Sequence, residues 1–286
     1  MQTISLRKNK DDHSQESKHL ALALQSAMRG EVRFNDGSRA LYSTDASNYR
    51  QVPIGVVVPR DIEDVITAVR ICRTFGAPIL SRGGGTSLAG QSCNVAVVLD
   101  FSKYMRRVLE VDPEKRIARV QPGTVLDDLR RQTEQHHLTF PPDPATHAWN
   151  TLGGMIGNNS CGVHSIMGGR NGARTSDYVE ELLILTYGGD ILRVGRTPDD
   201  ELEQIVRTGG RRGTIYAQLR ALRDRHAARI RSRYPNIPRR VSGYNLDDLL
   251  PENEFHVGRA LTGSEGTCVV ILEATVHLLP SPGKRV

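Results

Sequence analysis

The sequence has few cysteines and no long apolar run. Its four cysteines, Cys72, Cys93, Cys161 and Cys268, lie far apart and form no Cys-x-x-Cys pair. This usage favours reduced, structural cysteines and gives no support to zinc or iron–sulfur ligation. No apolar run approaches the length of a membrane span, and the polar N-terminal stretch lacks the apolar core of a signal peptide. We therefore expect a cytoplasmic protein without an integral membrane segment.

Acidic residues are scarce in one strongly basic stretch. Between Arg207 and Arg240 the chain has eleven arginines and one acidic residue, Asp224. Such a stretch can mark contact with nucleic acid or with an anionic membrane. It contains only two aromatic residues, Tyr216 and Tyr234, which is few for base stacking, and no nucleic-acid-binding motif accompanies it. A solvated helix face is therefore the better interpretation, with nucleic-acid binding as the alternative.

The length of 286 residues is enough for one large domain or two joined subdomains. Residues 1–19 are charged and lack periodicity, which predicts a disordered leader. The folded domain is expected over 20–286, with subdomain one at about 40–175 and subdomain two at about 176–280. A first helix is predicted from Lys18 to Met28.

The clearest local pattern is a strand, a helix and a second strand. Gly55–Val58 is a short apolar run, and Asp61 is a natural N-cap for the helix that follows. Apolar residues then recur at helical spacing from Ile62 to Phe75. The next strand begins at Pro78 and leads directly into a glycine-rich loop, Arg82–Gly90.

The rest of the chain mixes strands and helices, which predicts an α+β fold. Thr124 and Asp127 have the spacing of a capping box, so a helix is expected to begin at Thr124. The other expected elements are strands at Val95–Asp100, Arg106–Val111 and Arg116–Val120, a hairpin of Val179–Thr186 with Asp190–Val194, a helical stretch at Ile215–Arg231 and a closing apolar run at Cys268–Leu279.

The loop Arg82–Gly90 is the most informative segment for function. Three consecutive glycines, Gly83–Gly85, leave their main-chain N–H groups unobstructed by side chains. Successive amides in such a turn can form a concave set of donors suited to a pyrophosphate. Thr86 and Ser87 can add hydroxyl donors, and Arg82 can add positive charge. The alternative is a tight loop that needs glycine only for its backbone conformation.

The same loop does not match the common nucleotide-binding motifs. A Walker loop needs Lys and then Ser or Thr after its last glycine, but Gln91 and Ser92 follow Gly90. A G-x-G-x-x-G fingerprint needs glycine where Leu88 stands. Both ATP hydrolysis and Rossmann-type NAD binding are therefore disfavoured.

A second stretch of small residues runs from Leu152 to Gly172. A flat, rigid ring could lie against this backbone, and Asn158 and Asn159 could hydrogen-bond its polar edges. A hydrolase is the competing interpretation, through a nucleophile elbow at Ser160 or a Cys161/His164 dyad. The elbow needs glycine where Asn158 stands, and residues three apart in such a loop rarely face each other.

The histidines give no pattern typical of a metal site. His136 and His137 are adjacent and therefore point apart, while His147 and His164 lie on separate loops. No metal is expected. His147 could approach a bound ring, although a surface position is the more common outcome for a loop histidine.

Three motifs in order resemble one known family. The segments Arg82–Gly90, Leu152–Gly154 and Gly263–Thr267 resemble the FAD-linked oxidases of the PCMH type, within the vanillyl-alcohol oxidase family. Among these, the chain is similar to the D-lactate, glycolate and D-2-hydroxyglutarate dehydrogenases, particularly long forms with a C-terminal iron–sulfur region. The resemblance covers about residues 40–280 and implies a PCMH-type FAD-binding fold of two subdomains.

The resemblance also implies how the cofactor is held. Arg82–Ser87 would hold the pyrophosphate, the segments Pro142–Thr146 and Leu152–Asn158 would contact pyrophosphate and isoalloxazine, and Gly172–Asp177 would continue the groove. Covalent members have a histidine where Gly85 stands, so noncovalent FAD is implied. The residues implied in FAD binding are Arg82, Gly83, Gly84, Gly85, Thr86, Ser87, Pro142, Thr146, Leu152, Gly153, Gly154, Gly157, Asn158, Gly266, Val269 and Val270.

Family members also have a cap domain that holds the 2-hydroxy acid, and the resemblance implies that cap and iron–sulfur regions are absent from this chain. The implied reaction is hydride transfer from a D-2-hydroxy acid to flavin N5, with catalytic residues unassigned and little turnover by the chain alone. The alternatives are a non-catalytic flavin-binding module, a subunit of a split enzyme whose partner chain carries the missing regions, and a flavin reductase of the UDP-N-acetylenolpyruvylglucosamine type.

Overall fold

A computed structural model describes residues 10–163, 165, 172, 174–237 and 239–283. The chain separates into two compact units, Met1–Asp100 and Phe101–Val286. Both combine helices with a β-sheet, as the predicted α+β class requires.

The first unit is built on a four-stranded sheet with the strand order β1-β2-β4-β3. Strands β2, β4 and β3 are parallel, and β1 pairs with β2 in the antiparallel direction. Both β2 and β4 are buried along their whole length, as expected of apolar strands at the centre of a sheet. The strands are β1 Glu31–Arg33, β2 Gly55–Val58, β3 Ile79–Arg82 and β4 Val97–Asp100, and the helices are α1 Lys10–Ala27, α2 Asp36–Leu41 and α3 Ile62–Thr74.

Helix α3 confirms the expected N-cap. The Asp61 side chain accepts a hydrogen bond from the Asp64 N–H at 3.1 Å, and Glu63 and Asp64 occupy the first turn. One face, with Val65, Ala68, Val69 and Cys72, is buried. The sequence periodicity therefore predicted this element correctly.

The second unit contains a five-stranded antiparallel sheet with the order β5-β6-β10-β8-β9. A hydrophobic cluster packs on one face of this sheet and includes Ala118, Leu182, Ile184 and Val276. The strands are β5 Val108–Asp112, β6 Ile117–Val120, β7 Leu138–Thr139, β8 Val179–Thr186, β9 Ile191–Gly195, β10 Val269–His277 and β11 Leu279–Pro280. The helices are α4 Leu126–Thr133, α5 Leu152–Asn158, α6 Asp199–Thr208, α7 Gly210–Arg233 and α8 Val257–Leu261.

The division into units differs from the predicted boundary near residue 175. Strand β6 pairs with β10, and β10 pairs with β8, so residues 101–120 belong to the same sheet as the C-terminal strand. These pairings join segments far apart in sequence, and local patterns do not reveal them. The boundary therefore lies after Asp100.

Two local predictions are also wrong. The predicted leader extends to residue 19, but α1 already begins at Lys10, and its buried residues Leu20 and Leu24 give the helix a packing face. Residues 1–9 lie outside the described part. Thr124 does not cap α4: its hydroxyl donates to the Arg107 carbonyl at 3.0 Å, and α4 begins at Leu126 without a side-chain cap.

Candidate functional site

The glycine loop after β3 carries main-chain N–H groups that have no acceptor among the described residues. Within the residues that the structure describes, the N–H groups of Gly84, Gly85, Thr86 and Ser87 donate to no protein atom. The hydroxyl groups of Thr86 and Ser87 also make no hydrogen bond to a described residue. Gly84 is exposed and its neighbours are partly buried. The loop therefore presents adjacent, available donors, which is the arrangement that binds an anion.

Arg82 holds this loop in place through hydrogen bonds to neighbouring carbonyl groups. Its guanidinium donates to the carbonyl oxygens of Ser92 at 2.9 Å and Thr44 at 2.8 Å, and it lies 5.3 Å from the centre of the Tyr42 ring. Gly85 has a φ of +65°, and a Cβ atom there would lie 2.7 Å from Arg82 Nη2. Both the backbone conformation and the close guanidinium therefore favour glycine at this position.

Helix α5 in the second unit has one buried face and one open face. Thr151 caps its N-terminus by accepting from the Gly154 N–H at 3.3 Å. The side chains of Leu152, Met155 and Ile156 are fully buried. Gly154 and Asn158 are exposed on the opposite side, and no atom lies within 4 Å of a Cβ placed on Gly157. This side of the helix presents main chain that a flat ring could approach.

Segments predicted to share a site meet at the C-terminal end of α5. The Gly263 N–H donates to the Ile156 carbonyl, and the Glu265 N–H donates to the Gly157 carbonyl, both at 2.8 Å. Gly266 follows with a φ of +75° and open space around its Cβ position. The structure therefore brings Gly157, Asn158 and Gly266 together.

The proline-rich segment is held close to the start of α5. Arg130 donates to the carbonyl oxygens of Phe140 and Pro142 and to the Asp143 carboxylate at 2.7 Å. The Thr146 hydroxyl accepts from the Asn150 amide at 3.3 Å. A Cβ on Gly153 would lie 2.9 Å from the Pro122 carbonyl oxygen, so close packing requires glycine there.

Comparison with known proteins identifies this arrangement. Residues 53–195 match the family model described as FAD binding domain. The chain belongs to this family of FAD-binding domains.

Curated relatives of this FAD-binding domain are longer proteins. It is 34% identical to the D-2-hydroxyglutarate dehydrogenase of Pseudomonas putida over 264 residues, which are 90% of this chain and 26% of the relative. It is 32% identical to glycolate oxidase subunit GlcD of Bacillus subtilis over 258 residues, or 88% of this chain and 43% of the relative. The chain thus spans about a quarter of the first relative and less than half of the second.

A solved structure confirms the fold. An alkyldihydroxyacetonephosphate synthase superposes with a TM-score of 0.60 at 18% identity, covering 97% of this chain and 45% of that one. At this identity the likeness concerns the fold alone. The predicted PCMH-type FAD-binding fold is therefore confirmed.

The main chain of the predicted site residues suits a dinucleotide, but some of their side chains are too buried to contact one. Free donors at Gly84–Ser87 suit the pyrophosphate, and the open side of α5 at Gly157 suits a planar ring. The side chains of Leu152 and Val270 are buried at 0% and 3% exposure, so only their main chains could contact a cofactor. Val269 is partly buried on β10.

The two asparagines after α5 have different roles. Asn159 is fully buried, and its Oδ1 accepts from the Ser176 N–H at 2.9 Å, so the predicted contact of Asn159 with a ring edge is wrong. Asn158 is exposed and accepts from the Ser160 hydroxyl at 2.6 Å. The proposed dyad involves His164, which lies outside the described residues. The Nδ1 of His147 hydrogen-bonds to Asp127 at 2.8 Å.

Two glycines outside the predicted set lie very close to carbonyl oxygens of distant segments. A Cβ on Gly123 would lie 2.0 Å from the Phe101 carbonyl oxygen, and one on Gly162 would lie 1.5 Å from the Asp143 carbonyl oxygen. Gly162 thereby sets the position of the proline-rich segment against the chain after α5. Such a contact between distant segments gives no local sequence signal.

A buried charge cluster supports the chain just before Gly263. Arg174 pairs with Asp177 at 2.6 Å, and Asp248 lies near both Arg174 and Arg259. Burial, together with the nearby Asp247 carboxylate, raises the pKa of Asp248 to about 7. Burial likewise lowers the pKa of His256 to about 3, and its Nδ1 accepts from the Arg259 N–H at 3.2 Å.

Membrane-spanning helices and clusters of metal-binding side chains are both missing from the described residues. No helix among them is long and apolar enough to cross a bilayer. They contain no group of three His, Cys, Asp or Glu side chains arranged to hold a metal ion.

Proposed function

We propose that this chain binds FAD noncovalently. In the first unit, Gly83–Ser87 bind the pyrophosphate, and Arg82 supports them. In the second unit, the contacts come from Pro142, Thr146, Leu152, Gly153, Gly154, Gly157, Asn158, Gly266, Val269 and Val270. The proposal of noncovalent binding rests on Gly85, which stands where covalent members of the resembled family carry a histidine.

The observation that carries this proposal is the run of free donors at Gly84–Ser87. Buried or half-buried N–H groups normally have partners, so adjacent amides without a protein acceptor suit an anionic ligand. Arg82 is engaged by carbonyl groups of its own unit, and its role is to fix the loop and add positive charge behind the amides.

The reaction of the whole protein is a further proposal. When bound, FAD supplies two-electron redox chemistry. The relatives are named D-2-hydroxyglutarate dehydrogenase and glycolate oxidase subunit, which supports a D-2-hydroxy acid as substrate. Because the chain spans about a quarter of the first relative, we propose that it has little turnover alone.

The alternative is a flavin-binding module or a subunit that acts with a partner chain. An iron–sulfur partner belongs to this alternative, as a proposal that rests on the resemblance. A cytoplasmic location stays a prediction from the dispersed cysteines.

A side chain on Gly84 tests the role of the loop. Gly84 is exposed and has no positive φ, and Gly84→Val places a branched side chain beside the neighbouring amides. We expect the variant to unfold at the wild-type temperature and to bind FAD at least tenfold more weakly in a fluorescence titration.

Gly283→Val is the matched control, because Gly283 is exposed, has an ordinary φ and has no atom within 4 Å of its Cβ position. Equal FAD affinity for the wild type and Gly84→Val would remove the loop from the binding site.

A further inference from the structure

The outer face of the five-stranded sheet carries a row of exposed charges. Ala118, Leu182, Ala274 and Val276 on the inner face are buried in the hydrophobic cluster. Because side chains alternate along a strand, their neighbours Arg119, Glu181 and Thr275 point to the opposite face. There they line a shallow depression of about 310 Å³.

The depression crosses all five strands. Its lining includes Glu110 on β5, Arg119 on β6, Thr275 on β10, Glu181 on β8 and Arg193 on β9, which we call the charged row. Direct cross-strand pairs join Glu110 to Arg119, Arg119 to Thr275 and Thr275 to Glu181. Arg193 reaches Glu181 at 2.7 Å. In the strand order β5-β6-β10-β8-β9, the side chains of the charged row are therefore negative, positive, neutral, negative and positive.

The charged row is accessible. The exposed fractions of the charged side chains are 60% for Glu110, 36% for Arg119, 41% for Glu181 and 55% for Arg193. Ion pairs at such exposure contribute only modestly to the stability of the sheet, and the charged groups stay accessible to a partner.

The order of signs makes the charged row complementary to a second copy of itself. Strand β10 is the central strand, so a two-fold axis parallel to it exchanges β5 with β9 and β6 with β8. Glu110 then faces Arg193 of the second copy, and Arg119 faces its Glu181. Thr275 faces its own equivalent.

We propose that this sheet face forms an isologous contact with a second copy of the chain. A two-fold axis perpendicular to the strands would instead place each strand opposite its own copy. Each charged side chain would then face the same charge on the second copy, and the two would repel each other. Charge complementarity therefore selects both the occupant and the direction of the symmetry axis.

Glu273 on the central strand is compatible with this arrangement. It also lies near its equivalent across the axis, but it pairs with Arg119 of its own chain at 3.0 Å and is only 13% exposed. Its charge is therefore balanced within each copy.

The contact is small. Five strands spaced by about 4.8 Å make a face about 20 Å wide, and five residues of a strand are about 17 Å long. The resulting area of about 340 Å² is less than the roughly 800 Å² that each partner contributes to a standard stable interface. We therefore expect weak association that depends on protein concentration and weakens with salt.

Charge reversal of opposed residues tests the proposal. Sedimentation equilibrium of the wild type should show a monomer–dimer equilibrium whose dissociation constant rises at least tenfold between about 50 mM and about 500 mM NaCl. Glu110→Arg alone and Arg193→Glu alone should each raise the dissociation constant at least tenfold. An equimolar mixture of the two variants should restore association, because the two reversed charges then face each other across the contact.

Matched controls make the same changes of charge away from the sheet. Glu203→Arg on α6 and Arg225→Glu on α7 alter exposed residues and should leave the dissociation constant unchanged. Thermal unfolding of each variant checks that the fold is retained.

Three outcomes would overturn the proposal. They are a wild type that stays monomeric at low salt, a dimer that persists in both single variants, and a mixture that fails to regain association after both variants have lost it. The first outcome would leave the face to a different occupant, such as further domains of a longer chain.

Discussion

Gly85 and Gly76 both have a positive φ but have different surroundings. Their φ angles are +65° and +63°, and only Gly85 lies in the loop with free amides. Gly76→Ala should cost about 1 kcal/mol of unfolding free energy, because an L residue is strained at positive φ. Gly85→Ala should cost at least as much, because its Cβ would also crowd the Arg82 guanidinium. Gly85→Ala should in addition weaken FAD binding at least tenfold, whereas Gly76→Ala should not.

Thermal unfolding and a fluorescence titration of both variants measure these two effects separately. Equal FAD affinity in both variants would mean that Gly85 serves this loop through its backbone conformation alone.

The raised pKa of Asp248 predicts a contribution to the unfolding free energy that depends on pH. Its carboxyl has a pKa of about 7 in the folded chain, against an ordinary 3.8, mainly because it is buried. The folded chain therefore holds this proton more tightly than the unfolded chain. The resulting stabilisation is complete below about pH 4 and is lost as the pH rises to about 7.

Asp248→Asn should flatten this dependence. We expect its unfolding free energy to exceed that of the wild type by about 2 kcal/mol at about pH 8 and to match it more closely at about pH 4. Urea unfolding across this range measures the difference, with the exposed Asp36→Asn as control. A free-energy difference between Asp248→Asn and the wild type that stays the same from about pH 4 to about pH 8 would contradict the raised pKa. The two proteins are compared because the lowered pKa of the buried His256 changes the stability of both in the opposite direction over this range.

At the scale of the element, the end of α5 depends on Asn159. This residue has a φ of +53°, is fully buried, and accepts a hydrogen bond from the Ser176 N–H. Asn159→Ala loses the hydrogen bond and keeps the strained φ. We therefore expect its unfolding free energy to be about 2 kcal/mol lower than that of the wild type.

Asn159→Gly also loses the hydrogen bond but relieves the strain. Its unfolding free energy should therefore fall less than that of Asn159→Ala. Chemical denaturation of both variants gives the comparison. If alanine were tolerated as well as glycine, the left-handed conformation at this position would be in doubt.

Elements with local signals were predictable from sequence. Strand β2, helix α3 with its Asp61 cap, and the hairpin of β8 and β9 follow from apolar spacing and turn residues. Thr124 shows the limit of this reasoning, because its hydroxyl bonds the distant Arg107 carbonyl instead of capping α4.

The candidate site was predictable to a similar extent. The glycine clusters indicated the loop at Gly83–Gly85 and the open side of α5. The hydrogen bonds that join α5 to Gly263 and Glu265, and the burial of Asn159, depend on how distant segments pack. No local pattern carries that information.

At the scale of the whole molecule, the proposed substrate class can be tested on the flavin itself. Anaerobic mixing of the FAD-loaded chain with D-2-hydroxyglutarate, glycolate or D-lactate should leave the visible flavin band largely unchanged. The reason is that the chain spans about a quarter of the first relative. A longer protein that contains this domain should lose the band with a D-2-hydroxy acid and keep it with the L enantiomer. Rapid bleaching with the chain alone would contradict the proposed low turnover.

The flavin content of the purified chain shows whether the chain binds FAD. We predict that the folded chain takes up about one FAD per chain, shows the spectrum of oxidised flavin, and releases the cofactor on acid precipitation. A folded chain that stays colourless in excess FAD would contradict the proposal that this chain binds FAD.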